Sequence, residues 1–268
     1  MSGPSLTRRA RRGVTFLGDA TCPHGVSLAF TERHGGVSTG DFSSLNLGDA
    51  CGDDPAAVAE NRLRALAALG AEGLSGRLVN PRQVHGDHVV VVTSSEAAEL
   101  ASVRNEAGEG ADAVVCTAAG VPVLLCYADC VPVVLVAEGG FAVIHSGWRG
   151  TIARISAKAL ATLATETGHA PQEVRAYVGP HIAGEDYEVS AGLMGRFVDE
   201  FGPAAQAGER LLDLEACIVR TLVEEGVPAD MIAGTHASTS RETGRFFLYR
   251  ATGGSCGRHG ALVVMSDR

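Results

Sequence analysis

Lysine is nearly missing from this chain: Lys158 is the only one in 268 residues. That excludes a Walker-type phosphate loop, which needs its own Gly-Lys pair, and leaves any Schiff-base chemistry to a residue that reads as mid-helix. Long hydrophobic runs are missing too. Val131 to Ala137 is among the longest, far short of the roughly 18 residues needed to cross a bilayer. No His-x-His, Cys-x-x-Cys or His-Glu-x-x-His element occurs, which removes the local signatures of multicopper clusters, zinc ribbons and zinc proteases. No apolar h-region follows the one basic cluster, Arg8, Arg9, Arg11 and Arg12, so no secretory signal is expected. Positive charge is in deficit: 22 basic against 31 acidic residues sum to −9. Phosphate backbones would be repelled, so neither nucleic acid nor membrane is an expected partner.

Cys22, Cys51, Cys116, Cys126, Cys130, Cys217 and Cys256 are odd in number. In a chain of this length, that points to reduced thiols in a cytoplasm rather than a disulfide framework. A chain this long buries roughly three quarters of its unfolded surface and needs no covalent staples. Residues 1–13 read as a frayed, solvated, Arg-rich tail and 14–268 as a single domain. Residues 26–48 begin as a strand and become a Gly/Ser/Asn loop. Asp54 and Pro55 then open a helix as N-cap and N1, with Ala59, Leu63, Leu66 and Leu69 inward and Gly70 as its stop. From 78 to 145 the pattern is mostly strand: His88–Val92, Ala113–Cys116, Val123–Tyr127, Val133–Val136 and Phe141–Ile144. Several are continuous apolar runs, as in strands buried on both faces. Helices follow over 150–167, after Ser190 and after Asp213. Strands are expected at Val174–Val178, Phe246–Arg250 and Ala261–Met265. The fold class is α/β, a single domain of mixed sheets flanked by helices.

Three segments collect chemistry at strand ends: Gln83-Val84-His85-Gly86, Ala128-Asp129-Cys130, and His145-Ser146-Gly147-Trp148-Arg149-Gly150. Loops at strand ends vary freely while the sheet holds them rigid. Cys130 and His145 lie on either side of two consecutive strands and can face each other, with His85 arriving from elsewhere. Two imidazoles and a thiolate suit Zn²⁺ with a fourth position open, and such an ion brings water toward a pKa of about 7. Alternatively, Cys130 is a nucleophile with Asp129 and His145 as orienter and base, or simply a small buried hydrophobe. The same His₂Cys set would accept copper, but an axial Met is expected there and no Met lies near the three segments. Arg149, just before open helix N–H groups, suits an anion, or else lies over Trp148.

The stretches FTERHGGVSTGDFSSLNLG (30–48), DDPAAVAENR (53–62), QVHG (83–86), ADAVV (111–115), ADCVPVVL (128–135), HSGWRGT (145–151), VGPHI (178–182), DYEVS (186–190) and FFLYR (246–250) occur in this order. Together they resemble the laccase-domain, or "polyphenol oxidase", family, also described as multifunctional purine nucleoside phosphorylases. The resemblance covers about 26–265 and rests most firmly on ADC, H-x-GWRG and QVHG.

The resemblance implies an α/β/β/α-type domain, akin in site layout to putative cysteine hydrolases, with His85, Cys130 and His145 as a metal triad, usually zinc. It implies phosphorolysis of adenosine, inosine and methylthioadenosine, and deamination of adenosine. Copper-dependent phenol oxidation and peptidoglycan-precursor editing are the rival family activities. A purine nucleoside and phosphate would then be the partners. Cys130, Asp129 and Arg149 would carry catalysis, with Asp129 or Glu32 as proton shuttle. Arg33, Asn46, Gln83, Trp148 and His181 would line the substrate. The chain departs from the family pattern at His181 and Glu185, at His236, at FFLYR and in the tail GGSCGRHGALVVM, which implies an altered pocket wall and a specialised substrate.

Overall fold

A computed structural model describes residues 3–266. In chain order the elements are β1 (Thr7–Arg11), β2 (Val14–Gly18), β3 (Val26–Thr31), α1 (Pro55–Leu69), β4 (Val89–Val92), α2 (Ala97–Glu109), β5 (Ala113–Cys116), β6 (Val123–Tyr127), β7 (Val131–Ala137), β8 (Gly140–Ser146), α3 (Trp148–Ile152), α4 (Ile155–Thr167), β9 (Arg175–Val178), α5 (Ala191–Phe201), β10 (Gln206–Gly208), β11 (Leu211–Leu212), α6 (Leu214–Glu224), β12 (Ile232–Gly234), α7 (Tyr249–Thr252) and β13 (His259–Met265). An antiparallel sheet runs β1-β2-β3-β13-β6, and a mixed sheet runs β12-β9-β7-β8-β5-β4. β10 and β11 form a separate small hairpin.

Strand alternation explains the layering. On β7, Val131, Val133, Leu135 and Ala137 pack with Leu160 and Leu163 of α4, Phe197 of α5 and Ile218 of α6. Their neighbours Val134 and Val136 pack instead with Leu28, Phe30, Leu125 and Val263 of the other sheet. On β13, Ala261 and Val263 face the mixed sheet, while Leu262 and Val264 join Ala65, Leu66 and Ala68 of α1. Successive side chains point to opposite faces, so two sheets back to back, each covered by helix on its outer face, make the four-layer α/β/β/α domain expected. β7 and β8 are buried along their whole length, which is why they read as unbroken apolar runs. No helix among the described residues is long and apolar enough to cross a membrane.

The helix caps follow the sequence. Asp54 accepts from the Ala56 amide at 3.0 Å, Ser190 from Leu193 at 3.2 Å and Asp213 from Ala216 at 2.8 Å. Each satisfies an amide that has no partner inside its helix.

Several expectations need correction. The supposed tail contains β1, paired antiparallel to β2; Met1 and Ser2 lie outside the described residues. All five β1 side chains are exposed, so an edge strand looks like a solvated charge run. In α1 the buried face is Val58, Asn61, Ala65, Leu66 and Ala68, and Leu63 is exposed. The face centres on a polar residue: the Asn61 amide donates to Ser38 Oγ (2.8 Å) and the Asn46 carbonyl (2.9 Å) and accepts from the Val37 amide (2.8 Å). An inward Asn hides the period. The helix expected over 150–167 is two helices, broken at Arg154, whose φ of 55° is left-handed. α2 was unforeseen, because it buries only Leu100 and Ala107 and so has almost no apolar stripe. Phe246–Arg250 is no strand; three consecutive buried residues, Phe246, Phe247 and Leu248, lead into α7.

Candidate metal centre

β7 and β8 are joined by the two-residue turn Glu138-Gly139, and their register sets Val131 opposite Ser146 and Pro132 opposite His145. Cys130, immediately before β7, therefore meets His145, near the end of β8. His85 comes from the loop before β4, two strands away across the sheet. The link is Asp112, fully buried just before β5. Its carboxylate accepts from the amides of Val84 (3.1 Å), His85 (3.0 Å) and Gly86 (2.7 Å), and from His145 Nδ1 at 2.7 Å. One carboxylate thus holds the loop of one ligand and the ring of another. Among the described residues, His85, Cys130 and His145 form the one such cluster, with ligand atoms all within 4.8 Å of one another.

The donor set fits a divalent ion. His145 gives Nδ1 to Asp112, so its Nε2 faces the centre; a carboxylate behind a ligating imidazole fixes its tautomer and orientation. Burial alone would push the Cys130 thiol up, but the charge of His145 and hydrogen bonds from His145 and His85 pull it down, toward thiolate. Burial likewise opposes protonation of His145, and the Cys130 thiolate with Asp112 overcomes it and moves its pKa up. A thiolate and two imidazoles are zinc-type donors, and three ligands leave a fourth position. The space is tight: a Cβ on Gly147 would lie 3.0 Å from Cys130 Sγ and 3.2 Å from His85 Cδ2. Tyr127 supports His145 from behind, with ring centroids 5.5 Å apart and its hydroxyl donating to the Ile144 carbonyl at 2.9 Å.

The triad opens into a cavity of about 1010 Å³. Gly48–Cys51 line it, and Trp148, Tyr187 and Tyr249 give it aromatic walls. Of the residues singled out in the sequence, His85, Cys130, His145, Asp129, Gln83, Trp148 and Arg149 line it. Gln83 spends its amide on the Cys126 backbone, donating and accepting at 2.8 Å each. Asp129 accepts from the Arg250 amide at 2.9 Å and from Thr239 Oγ1 at 3.3 Å. Arg149 lies over Trp148 at 4.6 Å, with no hydrogen-bond or ion-pair partner among the described residues.

Four expected residues are placed elsewhere. Arg33 donates to the carbonyls of Ser43 (2.8 Å) and Thr243 (3.0 Å) and stacks on Phe247. Asn46 is fully buried, with its amide spent on Gly48, Asp53 and the Arg258 amide. His181 is buried against the Gly179 carbonyl at 2.9 Å, with Glu215 at 3.4 Å. Glu32 is closed off by Arg8 and Arg245. Each satisfies its polar atoms in the fold, and none lines the cavity. The departures at His181 and His236 therefore do not change its wall, and neither does the one within FFLYR: Tyr249 and Arg250 line the cavity, but Leu248, the residue that departs, is buried away from it. Sequence reasoning missed Asp112, Arg82, Tyr249, Arg250 and Arg258. Asp112 carried a signal as a lone acid directly before a buried strand, and Tyr249, Arg250 and Arg258 lie in the FFLYR and GGSCGRHGALVVM stretches already singled out; Arg82 carried none.

The sequence model of the family described as "Multi-copper polyphenol oxidoreductase laccase" matches residues 27–266. The chain belongs to this family. Within the laccase family it is similar to a protein of Deinococcus radiodurans named purine nucleoside phosphorylase, at 34% identity over 91% of this chain and 90% of that one. It is 34% identical to purine nucleoside phosphorylase YlmD of Geobacillus stearothermophilus over 97% of both chains. The crystal structure of that YlmD matches with a TM-score of 0.84 over 98% of this chain and all of that one, at 29% identity. Bacillus licheniformis YfiH matches with a TM-score of 0.85 at 25% identity, over 97% of this chain and 99% of that one.

Proposed function

We propose that this chain is a cytoplasmic, zinc-dependent purine nucleoside phosphorylase that also deaminates adenosine. The observation that carries the reading is the convergence of His85, Cys130 and His145, with ligand atoms within 4.8 Å of one another, in the same cavity as Arg149, whose guanidinium has no ion-pair or hydrogen-bond partner among the described residues. Relatives named purine nucleoside phosphorylase support the reaction class.

In phosphorolysis a phosphate oxygen bonds to C1′ of the ribose while the C1′–N9 bond breaks. The purine leaves with the electron pair and takes up a proton. Arg149 seats the phosphate through the planar fork of donors that guanidinium offers. Trp148 holds that guanidinium by stacking and, with Tyr249, presents flat apolar surface to the base. Asp49, one of two carboxylates on the cavity wall, is paired with Arg62 at 3.1 Å. Asp129 has no ion-pair partner among the described residues and is the group that carries a proton. Zinc held by the triad supplies Lewis acidity. Deamination of adenosine, which exchanges its amine for a water oxygen and releases ammonia, uses the same donors.

The test is purified protein of known metal content, given adenosine or inosine with phosphate. Free base and ribose 1-phosphate, or inosine from adenosine, are expected by chromatography, and His145→Ala should abolish them. No product at micromolar enzyme overturns the reading.

The family description and the His₂Cys donors favour one rival, a copper phenol oxidase. Met194, Met231 and Met265 all pack in or against the hydrophobic cores, so among the described residues no thioether joins the cavity wall. Oxygen uptake on a phenol by copper-loaded protein, absent from the zinc form, would favour that rival.

A further inference from the structure

The chain carries a net charge of −9, yet its large cavity is lined by Arg82, Arg149, Arg250 and Arg258. None of the four has a carboxylate within ion-pair distance among the described residues. Two acids share the wall: Asp49, paired with Arg62, and Asp129, which accepts from Thr239 and the Arg250 amide, so four guanidinium groups stand against one unpaired carboxylate. Cationic donors therefore outnumber free anionic ones in a site that low-dielectric walls surround, and such a site concentrates anions.

The phosphate of phosphorolysis accounts for Arg149, which arrives from α3 beyond the mixed sheet. Arg258 arrives from the other sheet, just before β13. Its stem covers Gly48, where a Cβ would come within 2.7 Å of Arg258 Cγ. Its guanidinium lies over Tyr249 at 5.3 Å and is braced by one nitrogen on the carbonyls of Cys256 (2.6 Å) and Gly257 (3.0 Å). Arg250 is braced in the same way, over Tyr187 at 4.5 Å and on the Glu188 carbonyl at 2.5 Å. The Arg258 head is held by one nitrogen and keeps its remaining donors; Arg250 also hydrogen-bonds the Tyr187 side chain and keeps fewer.

We infer that Arg258 and Arg250 form a second anion seat, and that the preferred ligand is a nucleoside carrying a phosphomonoester on its ribose. The inference rests on the proposed phosphorylase reading for the nucleoside but not for the anion. The volume agrees, since about 1010 Å³ lies at the top of the range for drug-sized ligands, and a bare nucleoside is smaller than these. A planar guanidinium meets a phosphomonoester through paired donors, and such charge-assisted bonds are the strong ones.

The test is equilibrium binding of inosine and inosine 5′-monophosphate to zinc-loaded protein by calorimetry, in wild type, Arg149→Met, Arg258→Met and Arg258→Lys. The monophosphate should bind at least tenfold more tightly than inosine, about 1.4 kcal/mol. Arg149→Met should keep that ratio, Arg258→Met should bring it close to one, and Arg258→Lys should retain part of it. A wild-type ratio near one overturns the inference. So does a ratio lost in Arg149→Met but kept in Arg258→Met, or no binding of either ligand at millimolar concentration. Phosphorolysis of inosine with no preference for the monophosphate sinks this inference and spares the phosphorylase reading. Tight monophosphate binding without turnover does the reverse.

Discussion

Asp112 and Glu32 are both fully buried carboxylates with every oxygen engaged, and they serve opposite ends. Asp112 accepts from three amides of the 84–86 loop and from His145. Glu32 accepts from Arg8 at 2.7 and 2.8 Å and from Arg245 at 2.6 and 2.9 Å, buckling edge strand β1 and the 242–245 turn onto β3. Burial pushes each pKa up, and the bonds they accept overcome it and leave both below the ordinary carboxylate range. Burial and saturation alone therefore do not mark function. The difference is one bond further on: His145 keeps a second nitrogen facing the cavity, whereas the partners of Glu32 end at the surface.

The sharpest way to break this contrast is at the triad itself. Cys130→Ser removes the thiolate, and bound metal should fall from about one ion per chain to less than roughly a tenth, read by elemental analysis after desalting. Asp112→Asn keeps the size but removes the charge that orients His145. Metal affinity should weaken by about 10- to 100-fold, read by competition with a chelating dye. Unchanged affinity would reduce Asp112 to the same structural role as Glu32. Gly147→Ala places a methyl against Cys130 Sγ and His85 Cδ2; a few-fold loss of metal affinity is expected with little change in the unfolding midpoint.

Glu32→Gln should do the opposite. Unfolding in urea should show a loss of about 1–3 kcal/mol, with metal content unchanged. The pH dependence follows from the lowered pKa of Glu32. Its stabilisation is fully present above the ordinary glutamate value of about 4.3 and is lost as pH falls through the lower folded value. The gap between the urea midpoints of wild type and Glu32→Gln should therefore be widest near pH 6 and close below pH 4. A gap that widened in acid would refute the ion-pair account.

Much of the fold was legible because its signals are local. Asp54, Ser190 and Asp213 cap helices through bonds made within three residues, and β7 and β8 announce themselves as apolar runs. Signals failed where a partner far along the chain supplied the stabilisation. β1 is an edge strand of exposed arginines tied down through Arg8 by Glu32, with Glu72 holding Arg12 in the turn that follows, and α1 turns inward on Asn61, which serves a loop some 20 residues earlier. Arg33, Asn46, His181 and Glu32 looked like ligand-binding residues by type, but backbone atoms and charges, some two residues away and some more than 200, had already engaged them.

By itself the amino-acid order determined the α/β class and put Cys130 and His145 at the two ends of a pair of consecutive apolar strands, where they could face each other; the four layers came from the family resemblance, and the register that makes the two residues meet is set by the folded β7–β8 hairpin. Tertiary structure alone decided that His85 joins them, since the bond that draws it in runs through Asp112, 27 residues away along the chain. It also decided which arginines remain without a carboxylate. That depends on which acids fold within reach, a matter of three-dimensional distance that no linear spacing encodes.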